Sequence, residues 1–187
     1  TPTADLHEER AMHEAFTLPD GNIAVIGGIA KSIEIYDVAT GQWKQAGQLN
    51  RKVASFFAAT LDDGSIYIAG GSPMSEEPYS TLAYLWDPRT LRLKTMPQLQ
   101  PEGFAGRVLG GSSRQLIVKS YPKIFGESTL RVLDITTGRQ TKLSYTGSDP
   151  LLRKLSSGSR FHFEEIVKGP DGQPLTPTTV MFDDGIR

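Results

Sequence analysis

The sequence has no cysteine and only three histidines among its 187 residues. The absence of cysteine excludes disulfides, thiolate nucleophiles and zinc sites built on thiolates. No pair among His7, His13 and His162 has metal-ligand spacing on one predicted element, so we predict neither a metal site nor a cofactor. The lack of cysteine leaves the compartment open, with a secreted or periplasmic location slightly favoured over a cytoplasmic one.

Long apolar runs and an excess of one charge are also missing. The longest apolar stretch, residues 23–30, contains two glycines and is far shorter than the roughly 20 residues of a membrane-spanning helix. The 20 basic and 21 acidic side chains nearly balance, and no basic run is present to bind a phosphate backbone. We therefore predict no membrane span and no nucleic-acid partner. A hydrophobic fraction of 38% is typical of a folded globular protein and excludes a disordered one.

Glycine and proline separate many short apolar runs, a pattern typical of strands and turns. Residues 16–28, FTLPDGNIAVIGG, match residues 59–71, ATLDDGSIYIAGG. A second piece recurs three times, around Asp37, Asp87 and Asp134, which are spaced by 50 and 47 residues. Each unit is predicted to form four strands, with a hairpin at the Asp-Gly turn and another turn at Asp-x-x-Thr-Gly. Units of about 45 to 50 residues predict an all-β propeller of four-stranded blades.

Several short motifs recur in register within these units: Gly27-Gly28, Gly70-Gly71, Tyr36-Asp37 and Trp43. They resemble the kelch repeat, in the Asp-Gly variant shared with galactose-oxidase-like propellers, over about residues 9–148. The resemblance implies a kelch-type β-propeller segment of three to four four-stranded blades. The expected division is one blade at 9–50, one at 51–100, one at 101–148, and a divergent or incomplete blade at 149–187.

Three segments fit the repeat less closely. The third unit has Lys119-Ser120 where the other two have Gly-Gly. Residues 7–15 contain good helix formers, but the repeat register predicts a first strand over residues 10–18 instead. Nearer the C-terminus, residues 159–167 alternate like a strand and are expected to form a hairpin with residues 178–182. Residues 179–186 also match residues 58–65, which predicts that a further unit begins there.

The repeats amount to about half of a ring that has six or seven blades in most propellers. An open half-ring would expose sheet faces and edges, which favours aggregation. We therefore expect a second chain or a second copy to complete the propeller, or the sequence to be a fragment. The start at Thr1, with neither an initiator methionine nor a signal peptide, is expected for a processed product or a piece of a longer chain.

Two arginines are candidate binding residues. Arg10 and Arg51 precede the glycines of the first two Asp-Gly turns by 11 and 13 residues, which places them on the same strand face. The kelch-like resemblance places this region at the mouth of a central channel. Two guanidinium groups there would bind a carboxylate, a sugar acid or an acidic peptide through forked hydrogen bonds. The alternative is that each arginine pairs with a neighbouring carboxylate, such as Glu9 or Glu14.

Two predicted loops supply further candidates. Residues 72–80 form a long acidic-aromatic loop, and residues 120–127 form a basic-aromatic loop at the matching place in the next unit. Loops on a rigid scaffold commonly carry recognition, and the candidate anchors are Met74, Tyr79, Tyr121 and Phe125. The alternative is that these prolines and aromatics only pack the loops down. Trp43 and Trp86 are predicted to pack within the blades.

We assign no catalytic residue. Copper radical oxidases of the related propeller type need a tyrosine cross-linked to cysteine, which this chain cannot form. The favoured hypothesis is a non-catalytic module that recognises a protein or glycan partner through its blade loops. The alternative is an isomerase or lyase acting on a sugar or sugar acid, with Arg10 and Arg51 orienting an anionic group and Glu164 or His162 handling protons. A third hypothesis is a structural segment of a larger assembly, with no ligand of its own.

Overall fold

The computed structural model describes residues 4–52, 54–72, 78–121 and 129–142, and the backbone of residues 151–154, 161–165 and 178–182. The regular structure of these residues is all β, in fifteen strands. The described part of the chain contains no helix long and apolar enough to cross a membrane.

Three sheets have four strands each, and in all three the strands pair antiparallel in chain order. The first sheet consists of β1 (Glu14–Thr17), β2 (Ile23–Ile26), β3 (Ser32–Asp37) and β4 (Gln42–Gln48). The second consists of β5 (Phe57–Thr60), β6 (Ile66–Ala69), β7 (Ala83–Asp87) and β8 (Arg92–Met96). The third consists of β9 (Ala105–Gly111), β10 (Gln115–Tyr121), β11 (Thr129–Asp134) and β12 (Gln140–Lys142). A further sheet pairs β13 (Leu151–Lys154), β14 (Phe161–Glu165) and β15 (Thr178–Phe182).

Successive sheets pack face to face through two apolar clusters. Ile33 and Ile35 of the first sheet meet Ile66 and Trp86 of the second in one cluster. Alternate residues of β6 point to opposite faces, so Tyr67 belongs instead to the cluster shared with the third sheet. This stacking of four-stranded sheets is that of a partial β-propeller, and it confirms the predicted fold class. Trp86 is fully buried, as predicted, and its indole N–H donates to the Ala46 carbonyl oxygen at 3.2 Å.

The turns between the third and fourth strands of each sheet are built in the predicted way. The Asp37 carboxylate accepts the backbone N–H groups of Ala39 and Thr40, both at 3.1 Å. Asp134 holds the equivalent turn of the third sheet through Thr136 and Thr137. The turns then close on a residue with positive φ, which is Gly41 in the first sheet and Gly138 in the third. Glycine suits this position because it has no Cβ to clash with the backbone.

In the second sheet the same turn position is occupied by Leu91, whose φ is +57°. Its side chain is 43% exposed, so little packing depends on it. Because left-handed backbone is costly for a residue with a Cβ, Leu91→Gly should stabilise the chain by about 0.5–1 kcal/mol. Urea denaturation of the two proteins measures this difference. An unchanged or lower free energy of unfolding would contradict the expectation, as would an equal gain in a Val38→Gly control.

The ends of the chain differ in part from the sequence-based expectations. The first strand covers only Glu14–Thr17, so the prediction of strand over residues 10–18 was too long at its N-terminal side. Residues 4–13 form neither helix nor strand, because several of their polar groups bind the face of the first sheet instead. Residues 161–165 pair with residues 178–182, as predicted. The pairing of β13 with β14 was not predicted.

Candidate functional site

The sheet topology brings most of the predicted binding residues to one edge. Because neighbouring strands are antiparallel, the start of the first strand, the end of the second and the start of the third lie together in each sheet. The name loop end is used for the end of the sheets at which β2, β6 and β10 finish. The opposite end of the sheets is called the turn end. Arg10, Arg51 and Tyr79 lie at the loop end, as does the backbone of Tyr121, the last residue of β10. Met74 and Phe125 lie outside the described residues.

Arg10 makes a buried ion pair at the loop end of the first sheet. Its guanidinium contacts Glu34, and both side chains are fully buried. It also donates to the carbonyl oxygen of Ser32 at 3.0 Å and to the Ser32 hydroxyl at 2.6 Å. This geometry favours the ion-pairing alternative for Arg10 over ligand binding. The expected partners Glu9 and Glu14 were wrong, because residues 4–10 cross the sheet and bring Arg10 to a strand 24 residues further along the chain.

Glu34 accepts hydrogen bonds from two residues of the N-terminal segment, His7 and Arg10. The backbone N–H and the Nδ1 of His7 lie 2.8 and 2.9 Å from its Oε2. Burial acts to raise the pKa of Glu34, but the hydrogen bonds from His7 and the charge and hydrogen bond of Arg10 outweigh it and lower the pKa. Glu8 completes the cluster by accepting the Ser32 hydroxyl at 2.7 Å, which lowers the pKa of Glu8. The cluster therefore joins residues 4–10 to the sheet.

The position three residues before each turn aspartate has a different chemistry in each sheet. It is Glu34 in the first, Tyr84 in the second and Arg131 in the third. In the third sheet this position holds the cation of an ion pair, whereas Glu34 is the anion of its pair in the first. The Arg131 Nη2 donates to Glu102 at 3.0 Å. It also lies over the Phe104 ring, 5.4 Å from the centroid. Sequence reasoning missed this position, although counting back from the three aligned aspartates would have found it.

In the second sheet the equivalent position lines a small pocket between the first two sheets. Arg51, Ser80 and Tyr84 contribute polar groups to its lining. Gly70, Leu82 and Tyr84 line it too, and they are the equivalents of the three residues that Arg10 contacts in the first sheet. Arg10 and Arg51 thus lie near equivalent positions of the first two sheets, although neither belongs to a strand, as the predicted shared strand face would require.

Tyr84 is a buried polar residue of this pocket's wall, with 5% of its surface exposed. Its hydroxyl has no hydrogen-bond partner among the described residues. The Asn50 backbone amide lies near the hydroxyl without the geometry of a hydrogen bond. Burial raises the pKa of Tyr84, and the nearby charge of Arg51 opposes that rise only in part. The phenol therefore stays protonated at neutral pH and can donate a hydrogen bond into the pocket.

The backbone beside Tyr79 is tied to two neighbouring segments. The Ser80 N–H donates to the Gly71 carbonyl oxygen at 2.8 Å, and the Leu99 N–H donates to that of Thr81 at 2.8 Å. Gly103 packs directly against Tyr79, because a Cβ at that position would lie 2.3 Å from the Tyr79 carbonyl oxygen. Tyr79 itself is half-buried. Its side chain is thus carried on a backbone that the sheets hold in place.

The remaining candidates were the residues of a possible metal or proton-transfer site, and only the metal site can be compared with the part of the chain that the structure describes. That part contains no group of three His, Asp or Glu side chains able to hold a metal ion. The side chains of His162 and Glu164 lie outside it.

Trp43 packs against Tyr36 with ring centroids 5.1 Å apart, and its indole N–H donates to the Ala4 carbonyl oxygen at 2.9 Å.

No family model matches the chain, and no curated protein matches its sequence significantly. Solved structures do match it. One of them, "Structure of YjhT", is similar with a TM-score of 0.63 over 88% of this chain, at 16% sequence identity. This chain spans 61% of the length of the YjhT chain. At that identity the likeness shows the fold alone.

Proposed function

We propose that this chain is a non-catalytic, kelch-type propeller module that recognises a protein or glycan partner through its loop end. The observation that carries the proposal is the convergence of Arg51, Tyr84 and Tyr79 at one edge of packed, four-stranded sheets. A second chain or a second copy of this chain, completing the propeller, is the other partner in this proposal.

Two physical features support recognition at this edge. Tyrosine and arginine are the side chains most often responsible for binding energy at interfaces, because they combine large contact area with directional hydrogen bonds. The backbone of Tyr79 is held by neighbouring strands, so a partner that binds there orders few additional groups. Recognition loops on a rigid scaffold have this general form.

Tyr79→Ala should weaken binding of a cognate ligand by about 1–3 kcal/mol, because a half-buried aromatic anchor is lost, while the melting temperature stays nearly unchanged. Ligands are first selected with the wild-type chain from arrayed glycans and a displayed peptide library, and the affinity of the selected ligand is then measured by calorimetry. The matched control is Val38→Ala, an exposed residue of the turn end, which should bind as the wild type does.

Three results would overturn the proposal. One is equal binding by the Tyr79→Ala and wild-type chains. Another is a loss with Val38→Ala as large as that with Tyr79→Ala, since recognition would then not be confined to the loop end. The third is conversion of the selected ligand, detected by mass spectrometry, which would favour an enzyme acting on a sugar or sugar acid instead.

A further inference from the structure

Two large apolar side chains are exposed at the loop end of the first sheet. Met12 is 61% exposed and Ile29 is 37% exposed, and the Ile29 N–H donates at 3.1 Å to the carbonyl oxygen of Ala11, the residue before Met12. We propose that this pair, the apolar patch, contacts an apolar side chain of a protein partner that carries lysine or arginine beside it. The inference rests on the proposed function and names the class of its partner.

The backbone that carries Met12 is held against the sheet. Its φ is +57°, a left-handed conformation that residues with a Cβ adopt rarely and keep only where their surroundings impose it. The surroundings here are the hydrogen bond between Ala11 and Ile29 and the close approach of Gly28, where an added Cβ would overlap the Ala11 carbonyl oxygen. Met12 is therefore exposed on an ordered backbone, and a partner that covers it has to order only the side chain.

The second sheet has the same backbone arrangement but carries serine at both positions. Ser55 has a φ of +51°. The Ser72 N–H donates to the Ala54 carbonyl oxygen at 2.7 Å, as Ile29 does to that of Ala11. The conformation is therefore a feature of the repeat and does not depend on an apolar side chain. In the first sheet the two apolar side chains leave surface in water that a partner can bury.

The charges beside the apolar patch indicate the chemistry of the partner. The charges of Arg10 and Glu34 cancel in their buried pair. The other charged side chains within five residues of the patch are three acids and one base: Glu8, Glu9, Glu14 and Lys31. This surface is therefore negative, which makes it complementary to a partner with lysine or arginine next to its apolar side chain.

The aliphatic character of the patch favours a protein over a glycan. Neither the Met12 nor the Ile29 side chain donates a hydrogen bond, so a sugar ring placed on them would leave hydroxyl groups without partners. An aliphatic or aromatic side chain of a protein has no such cost. Methionine also adapts its shape to the side chain it meets, because it is unbranched and its thioether is polarisable.

The test selects peptides from a random displayed library with the wild-type chain and then measures the affinity of the enriched peptides by calorimetry. The variant is Met12→Ser/Ile29→Ser, which gives the first sheet the two residues of the second and should melt as the wild type does. The matched control, Val38→Ser/Leu91→Ser, removes two exposed apolar side chains at the turn end. Should the double variant at the patch fail to fold, Met12→Asn replaces it, since asparagine tolerates left-handed backbone.

We expect the enriched peptides to carry an apolar residue beside lysine or arginine, and to bind Met12→Ser/Ile29→Ser about tenfold more weakly than the wild type. The turn-end control should bind them as the wild type does. Glu9→Lys/Glu14→Lys should also weaken them, because it reverses the charge beside the patch. Equal binding by the patch variant and the wild type, an equal loss in the turn-end control, enrichment of acidic peptides, or no enrichment at all would overturn the proposal.

Tyr79→Ala distinguishes a failure of this inference from a failure of the proposed function. A ligand weakened by Tyr79→Ala but not by Met12→Ser/Ile29→Ser would overturn the apolar patch and leave the proposed function standing. The reverse result would support the patch and overturn the role of Tyr79. A loss with both variants would support both, with one partner covering the loop end of the first two sheets.

Discussion

Arg10→Met should lower the free energy of unfolding by about 3–5 kcal/mol, the cost of leaving a buried charge without its partner. The guanidinium and the Glu34 carboxylate are both fully buried, so water cannot replace the lost contact without opening the groove. His7 still donates to the Glu34 carboxylate in the variant, but its two hydrogen bonds supply only part of the compensation. Urea denaturation at neutral pH measures the difference.

The pH dependence of this loss follows from the lowered pKa of Glu34 in the folded chain. A depressed carboxyl pKa stabilises the fold above the unfolded value, near pH 4.3, and that contribution is lost as the pH falls through the folded pKa. In Arg10→Met the carboxyl takes up a proton more readily, which relieves the unpaired charge. The gap in stability between wild type and variant should therefore narrow as the pH is lowered from 7 to 4.

The double variant Arg10→Met/Glu34→Leu is the control for this argument. It removes both charges and leaves an apolar pair, so it should be more stable than Arg10→Met alone. A double variant as unstable as the single one would show that packing of the arginine stem, and not the unpaired carboxylate, dominates. A loss below about 1 kcal/mol in Arg10→Met would show that residues 4–10 contribute little to the stability of the first sheet.

Gly70→Ala should cost about 3–5 kcal/mol, from backbone strain and overpacking together. The residue has a φ of +71°, a conformation that residues with a Cβ rarely adopt. A Cβ there would lie 2.3 Å from the Phe104 carbonyl oxygen and 2.8 Å from the Phe57 ring. The Phe104 oxygen also accepts the Gly71 N–H at 2.9 Å, so it cannot move away without losing a hydrogen bond between the second and third sheets.

Gly21→Ala separates the two contributions. Gly21 has a φ of +85°, but a Cβ built on it meets nothing within 4 Å. Only the backbone strain applies there, so the loss should be about 1 kcal/mol. Equal losses at the two positions, measured by urea denaturation, would show that the close approach of the sheets at Gly70 does not constrain the structure.

The repeat pattern predicted the sheets well because each one is built from local signals. A turn aspartate bonds the amides two and three residues ahead, as Asp37 and Asp134 do. The glycines of the Asp-Gly turns supply positive φ, as at Gly21 and Gly64. Both effects depend on four or five consecutive residues, although the third unit has Ser112-Ser113-Arg114 where the first two have an Asp-Gly turn. The alternation of buried residues along β6 follows from the geometry of a strand, which can also be foreseen from sequence.

The partners of the charged side chains could not be foreseen in the same way. Arg10 lies one residue from Glu9 and four from Glu14, yet its partner is Glu34. The pairing exists only because residues 4–10 turn back across the first sheet. Nothing in the local sequence signals that path, since it depends on which face of the sheet is left to cover.

Sequence thus determined the strands, the turns and the stacking of four-stranded sheets, because these follow from backbone geometry and from a pattern repeated every 45 to 50 residues or so. Tertiary structure alone decided which groups meet at the loop end. Arg51 and Tyr84 are 33 residues apart, and they line one pocket because the link between two sheets passes over the groove between them. Two of the three positions that Arg10 contacts in the first sheet hold different residues in that pocket, because Leu82 replaces Ser32 and Tyr84 replaces Glu34.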